Sequence, residues 1–271
     1  MIIMSKKPVL SSYTIKTNKL SRKIKIAFLA DLHERPWADL LPLVKRINPD
    51  IILIAGDTFE RYDKTMEQPE ERKRGFFARI IFNIAYYFNY INLRIFCRKT
   101  APDTERTYGF LRELCKIAPV VSSLGNHEER FLKDDLKLFE ELGITLLDNS
   151  DKEFVVKGER IRIGGLSTAV DENWLSGFSK KSGLKILLSH HPIYYDRLIA
   201  DKDFDLVLSG HNHGGQIRYK NKGILSSGEG FFPKYDKGIY HGRFIVTAGC
   251  ANTVAMPRIN NPREIVRIEL E

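Results

Sequence analysis

Cysteine is scarce in this chain: 3 residues in 271, Cys97, Cys115 and Cys250, none of them in a CxxC pair. An odd, unpatterned set argues against a disulfide framework and a zinc ribbon, and it fits a reducing cytosol. A long apolar run at the start is also missing. Met1 to Pro8 has only a very short apolar opening before Ser5, Lys6 and Lys7, too short for the core of a signal peptide. The expected localisation is therefore cytoplasmic. Acidic residues are absent altogether between Gly75 and Cys97. No convincing internal repeat and no long linker divides the chain.

The length allows one large domain or two small ones, and a single domain of that size buries roughly three-quarters of its unfolded surface. The composition is ordinary for a soluble α/β protein apart from a net charge of +9. Such an excess serves solubility, and it also draws a protein toward phosphates, nucleic acid or an anionic membrane.

Strand-like runs recur at Ile24 to Ala30, Ile51 to Ala55, Val120 to Leu124, Leu184 to Ser189 and Asp205 to Ser209. Helical patterns lie between several of them, with Tyr108, Leu111 and Cys115 on one helix face and Leu132, Leu136 and Phe139 on another. The alternation predicts parallel βαβ units, whose ligands gather at the carboxyl ends of the strands. A more antiparallel stretch is expected after Asn149, with strands at Glu153 to Val156, Arg160 to Gly164, Arg243 to Val246 and Glu264 to Leu270. The fold class is thus α/β, with two sheets packed together and helices outside.

Five of the seven histidines fall in short motifs just past these runs. In order they are Asp31-Leu-His33, Gly56-Asp57, Gly125-Asn126-His127-Glu128, His190 and Gly210-His211-Asn212-His213. A lone Gly-Asp means almost nothing, and Asp57 before Thr58 makes a reasonable turn or helix cap. The ordered set is different: carboxylates, imidazoles and one amide oxygen at consecutive strand ends are what two divalent cations need. With no thiolate, manganese, iron, zinc and magnesium are the candidates, and imidazole disfavours magnesium. The Asp57 carboxylate has two oxygens and can bridge two ions, while Asn126 adds an oxygen without adding charge. Hydrolysis of a phosphate ester or anhydride is the chemistry this implies.

All five blocks, spanning Ile24 to Gln216, resemble the signature of the calcineurin-like metallophosphoesterases. The runs Leu188-Ser-His-His-Pro192, Ser209-Gly-His-Asn-His-Gly-Gly-Gln216 and Asn261-Pro-Arg-Glu-Ile265 look similar to the bacterial branch typified by the YkuE and YaeI phosphoesterases. The resemblance implies one domain over 1–271, a four-layer αββα sandwich of two mixed sheets flanked by helices; the segment at about 60–103 breaks the pattern and reads as an amphipathic helical insertion. It places one metal on Asp31, His33, Asp57 and His213, and a second on Asp57, Asn126, His190 and His211. It further implies in-line attack by a hydroxide held between the metals. His127, a member of its motif but not a ligand, is the candidate general acid. Glu128 either supports the site from behind or is a plain helix N-terminal acid. Glu60 either orients His127 or is a solvated loop acid. His191 is expected in the loop or behind the ligands, and His241 at the surface.

The acid-free stretch Gly75 to Cys97 is amphipathic at helical spacing. Arg79, Asn83, Tyr86, Tyr90 and Arg94 lie on one face, and Phe77, Ile81, Ile84, Phe88, Ile91 and Ile95 on the other. Arg72, Lys73 and Arg74 precede it, and Arg98 and Lys99 follow. This suits peripheral contact with an anionic bilayer, and its polar residues make spanning costly. Packing onto the domain and a dimer contact are the alternatives. The leading expectation is a metal-dependent phosphoesterase or pyrophosphatase acting on a phosphorylated small molecule or a lipid-linked substrate, such as UDP-diacylglucosamine, at the membrane face. A nuclease or cyclic-nucleotide phosphodiesterase is the rival, and a non-catalytic binding scaffold the other class.

Overall fold

A computed structural model describes residues 7–61, 102–128, 131–226, 229–253 and 258–271. The expected helical insertion, and with it the amphipathic stretch 75–97, lies outside the described residues. In chain order the first half carries β1 (Val9–Ile15), β2 (Ile24–Leu29), α1 (Leu41–Ile47), β3 (Ile51–Ala55), α2 (Thr104–Cys115), β4 (Val120–Ser123), α3 (Lys133–Leu142) and β5 (Thr145–Leu147). There follow β6 (Ser150–Val156), β7 (Glu159–Leu166), α4 (Glu172–Ser179), β8 (Leu184–Ser189) and β9 (Leu206–Ser209). Four two-residue strands come next, β10 (Arg218–Tyr219), β11 (Lys222–Gly223), β12 (Leu225–Ser226) and β13 (Gly230–Phe231). The chain ends with β14 (Gly238–Tyr240), β15 (Phe244–Val246) and β16 (Glu264–Leu270).

Two six-stranded sheets form the body, in the orders β1-β16-β2-β3-β4-β5 and β14-β15-β9-β8-β7-β6. The wholly apolar runs become interior parallel strands. β3 and β8 are buried along their entire length, because a parallel strand covered on both faces has no side on which a polar residue reaches water. Between the sheets lies one apolar layer, including Phe28, Leu53 and Val121 from the first sheet and Ile163, Ile186 and Leu208 from the second. A second layer joins the outer face of the first sheet to α1, α2 and α3 through Val44, Phe110, Leu111 and Phe139. A third covers the second sheet with Leu175 and Phe178 of α4, together with Tyr195 and Phe244. The result is the αββα sandwich. Among the described residues no helix is long and apolar enough to cross a membrane.

One expectation holds in part and one needs correction. The four strands expected antiparallel after Asn149 each take one antiparallel partner, within sheets that are mixed. β6 and β7 form a hairpin over Lys157 and Gly158, both at positive φ, the geometry of a tight turn that follows strand twist. Yet β7, β8, β9 and β15 run parallel. β16 crosses to the first sheet, where it runs antiparallel to β2 and parallel to β1. The apolar face assigned to α3 is rotated. Leu132 and Leu136 are exposed, while Asp135, Leu138 and Phe139 point inward. The cause is the buried Asp135 carboxylate, which accepts from Arg61 Nε and Nη2 at 2.8 Å each and from the Tyr108 hydroxyl at 2.7 Å. A charge-assisted, bidentate bond of this kind outweighs the burial of two leucine edges.

Candidate metal centre

The parallel strands of both sheets end on the same side, and each sequence motif sits just past such an end: Asp31 and His33 after β2, Asp57 after β3, Asn126 and His127 after β4, His190 after β8, His211 and His213 after β9. The backbone there is unusual. Asp31, His33, Asp57, His211 and His213 all have positive φ, between 48° and 68°. A non-glycine residue rarely adopts that conformation, which costs about 1–3 kcal/mol per position unless the surroundings impose it. Five of the motif side chains thus project from left-handed backbone positions.

The side chains gather into three groups. Asp31, His33 and His213 present potential ligand atoms within 4.8 Å of one another, so do Asp57, His190 and His211, and a third group, His33, Glu60 and His127, shares His33 with the first. Asn126 joins the second group, with its Oδ1 at 2.9 Å from His211 Nδ1. Asp57 stands between the first two groups: its Oδ2 lies 3.5 Å from His33 Nε2 and 3.1 Å from His190 Nε2. Asp31 Oδ2, His33 Nε2 and His190 Nε2 are buried without any aligned hydrogen bond. Buried polar atoms are nearly always satisfied, so these point to cations as their partners.

Neighbouring groups fix the ring orientations. His190 Nδ1 lies 2.8 Å from the Ala55 carbonyl, which can only accept, so that nitrogen carries hydrogen and Nε2 is left for a ligand. Glu60 settles the question its position posed. Its Oε2 lies 2.8 Å from His127 Nδ1 and its Oε1 3.1 Å from His33 Nδ1, so one carboxylate holds both rings. Glu128 proves to be a buried support. Its carboxylate accepts from the backbone N–H groups of Asp57, Thr58, Phe59 and Gly125 at 2.6–3.1 Å.

The titratable groups of the site shift in opposite directions. Burial works against a charged imidazole, but Asp57 together with Asp31 at His190, and Asp57 together with Glu60 and Glu128 at His127, outweigh it and raise both rings to about 9. Burial raises Asp57 itself, yet His190 and His127 overcome it and hold the carboxyl well below its ordinary value. Burial, seconded by neighbouring imidazoles, drives His191 down to about 3 and His211 and His213 well below the ordinary histidine value. A site that retains protons on two imidazoles this way attracts cations by the same carboxylates.

His191 packs behind the ligands, its ring centroid 4.3 Å from that of His211. His241 is exposed and lies apart, stacked on Tyr195 at 5.1 Å. Sequence reading misses several supporting residues. Arg258 is buried, its Nη2 lying 3.1 Å from His213 Nδ1, and burial lowers it to about 10. Asn261 Nδ2 donates to the His213 carbonyl at 2.7 Å. Gly210 and Gly249 flank Asp31 so closely that a Cβ on either would sit 2.8 or 2.6 Å from its Oδ2. Only the terminal Asn-Pro-Arg-Glu run hints at any of these.

Residues 24–215 match the family model described as calcineurin-like phosphoesterase. The chain is 25% identical over 228 residues to the uncharacterized protein YpbG of Bacillus subtilis (strain 168), covering 81% of this chain and 73% of YpbG. It is 24% identical over 263 residues to the phosphodiesterase YaeI of Escherichia coli (strain K12), covering 91% and 82%. Among solved structures, the sulfate thiohydrolase SoxB of Thermus thermophilus aligns with a TM-score of 0.43 and 12% identity, over 95% of this chain and 57% of that one.

Proposed function

The chain belongs to the calcineurin-like phosphoesterase family and is a hydrolase of phosphoester bonds, and from that premise we propose that two divalent cations occupy its paired side-chain clusters. Asp31, His33, Asp57 and His213 would hold one, and Asp57, Asn126, His190 and His211 the other. The position of Asp57 Oδ2 between nitrogens of opposite clusters carries this reading. The donor set suits manganese, iron or zinc. Such a pair, when bound, supplies a nucleophile at neutral pH and positive charge against the phosphoryl oxygens.

The chain's own residues do the rest. His127 protonates the leaving oxygen. Its side chain is 28% exposed, whereas Asp31, His33, Asp57 and His190 are buried. Glu60 keeps the His127 ring turned by holding Nδ1, so that Nε2 is the proton-bearing edge toward substrate. Glu128 keeps the loop of Asp57 in place. Replacing His127 with alanine tests the assignment. Metal content stays at the wild-type value, and turnover of an alkyl phosphoester falls about 10²–10⁴-fold, while a nitrophenyl ester, whose leaving group needs no proton, is much less affected. Equal loss on both esters removes the proton-donor role.

We place the activity at the cytoplasmic face of the membrane, on a lipid-linked phosphate or pyrophosphate such as UDP-diacylglucosamine. The support is the acid-free amphipathic stretch 75–97 and the anchoring of the chain on either side of 62–101 beside the site. Arg61 donates its backbone N–H to the His127 carbonyl at 2.8 Å, and Asp103 donates to the Glu34 carbonyl at 3.1 Å. Deleting 75–97 is expected to weaken vesicle binding and leave nitrophenyl ester hydrolysis intact; unchanged binding removes peripheral contact through this stretch. The net charge of +9 favours a second reading, a nuclease or cyclic-nucleotide phosphodiesterase. Activity on DNA or RNA with a steep salt dependence would decide for the nuclease.

A further inference from the structure

Past His213 the chain leaves the sheets for an excursion described over residues 217–226 and 229–238, in which β10 pairs with β11 and β12 with β13. Ile224 joins them: its N–H donates to the Ile217 carbonyl at 2.8 Å and its own carbonyl accepts from Phe232 at 2.9 Å. The excursion is fastened to the metal centre through Asn212, the residue between the two histidines. Asn212 Nδ2 donates to Glu229 Oε1 at 2.8 Å and to the Tyr235 carbonyl at 2.7 Å, and its Oδ1 accepts from the Ser226 hydroxyl at 2.8 Å.

The outer side of this excursion is aromatic and basic. Phe231 and Phe232 are 75% and 73% exposed, with ring centroids 6.5 Å apart, and Tyr219 is 64% exposed. Two adjacent phenylalanines left in water are a liability unless something apolar receives them. Lys220, Lys222 and Lys234 are exposed on the same excursion, and Lys220 lies over the Tyr219 ring at 5.5 Å. Lys234 is paired with Asp196. The acids of the excursion are turned inward: Glu229 is committed to Asn212, and Asp236 is buried against Arg218 and the Gly223 amide. Its outward charge therefore comes from lysine.

We propose that this excursion is a docking surface for an anionic lipid bilayer, with Phe231 and Phe232 seated at the headgroup level and Lys220 and Lys222 on the lipid phosphates. Exposed rings and exposed lysines on one excursion, whose own carboxylates are committed to Asn212 or buried, complement an anionic interface. A second copy of the same chain, itself at +9, brings like charge to this face. Docking here sets the metal centre one loop away from the headgroups, because Asn212 ties the excursion to His211 and His213. The surface is separate from 75–97, so its test leaves that stretch intact.

Full-length protein is sedimented with vesicles of equimolar phosphatidylcholine and phosphatidylglycerol, and with phosphatidylcholine alone. The wild type is expected to bind the anionic vesicles, and the double variant Phe231→Ser/Phe232→Ser to bind them on the order of tenfold or more weakly, with nitrophenyl ester hydrolysis unchanged. Lys220→Glu/Lys222→Glu is expected to weaken binding to anionic vesicles with no effect on the neutral ones, and serves as the second reading should the serine variant fold poorly. Wild-type protein that ignores anionic vesicles, or variants that bind like wild type, overturn the proposal. So does a wild-type dimer in sedimentation analysis that the serine variant dissociates, since the rings would then receive a second copy.

Discussion

Glu60 Oε2 lies 2.8 Å from His127 Nδ1, and the other oxygen of the same carboxylate reaches His33. One side chain thereby couples a proposed metal ligand to the proposed proton donor. Burial pushes the Glu60 carboxyl up, but His127 and His33 overcome it and hold it far below its ordinary value, so it is an anion at any working pH. Glu60→Gln removes that charge and offers a neutral amide. Its expected effect is a fall in turnover of about 10–100-fold, larger on alkyl than on nitrophenyl phosphoesters. An equal fall on both substrates, with metal lost, would assign Glu60 to His33 alone.

Glu128→Gln addresses the loop of Asp57. Four backbone N–H groups converge on this carboxylate, and an amide turns an N–H toward two of them. Buried donors left unmatched cost about 1–3 kcal/mol each, so a loss of about 2–5 kcal/mol in urea unfolding is expected. A stability within error of wild type would show that the loop holds itself.

Gly249→Ala tests the packing around Asp31. Gly249 has a φ of 76°, and an added Cβ falls 2.6 Å from Asp31 Oδ2. Gly242 provides the control, with a φ of 69° and open space where the Cβ would go. Both substitutions carry the left-handed backbone cost of about 1–2 kcal/mol, but only Gly249→Ala displaces a proposed ligand. Metal analysis after dialysis should show loss for Gly249→Ala alone; equal metal content in the two proteins would remove Asp31 from the ligand set.

Removing metal reverses the response to pH. Burial lowers His190, but Asp57 and Asp31 outweigh burial and raise it from 6.5 to about 9. A raised imidazole stabilises the metal-free fold below about pH 6.5, and that contribution disappears as the pH rises through about 9. Thermal unfolding in chelator should therefore show falling stability across this window. Metal binding must expel the same proton, so affinity should rise over the same range. Calorimetry at pH 7.5 in two buffers of different ionisation enthalpy is expected to detect proton release, and no buffer dependence would count against His190 as a ligand.

The motifs were legible because two constraints act locally. A strand buried on both faces is wholly or largely apolar, as at Ile51–Ala55 and at Leu184–Ser189, where the buried Lys185 is satisfied by the Ser179 and Lys181 carbonyls and Asp203, and the residue that follows it is free to carry chemistry. The face of α3 was not legible. Leu132 and Leu136 satisfy the helical period, and only the distant partners Arg61 and Tyr108 explain why Asp135 turns inward instead. The two readings of Glu60 and of Glu128 were equally undecidable, because each depends on where a neighbouring loop's amides or rings come to lie.

By itself, then, the sequence determined the chemistry: donor types, their order and the strand ends that carry them, all written within a few residues of one another. Tertiary structure decided the rest. It gathered the candidate ligands into clusters with Asp57 between His33 and His190, set Glu60 between His33 and His127, brought Arg258 and Asn261 to His213, and closed Gly210 and Gly249 around Asp31. The contacts of Glu60, Arg258 and Asn261 among these join residues 27 or more positions apart in the chain. Their distances are fixed by the packing of two sheets, which no local pattern encodes.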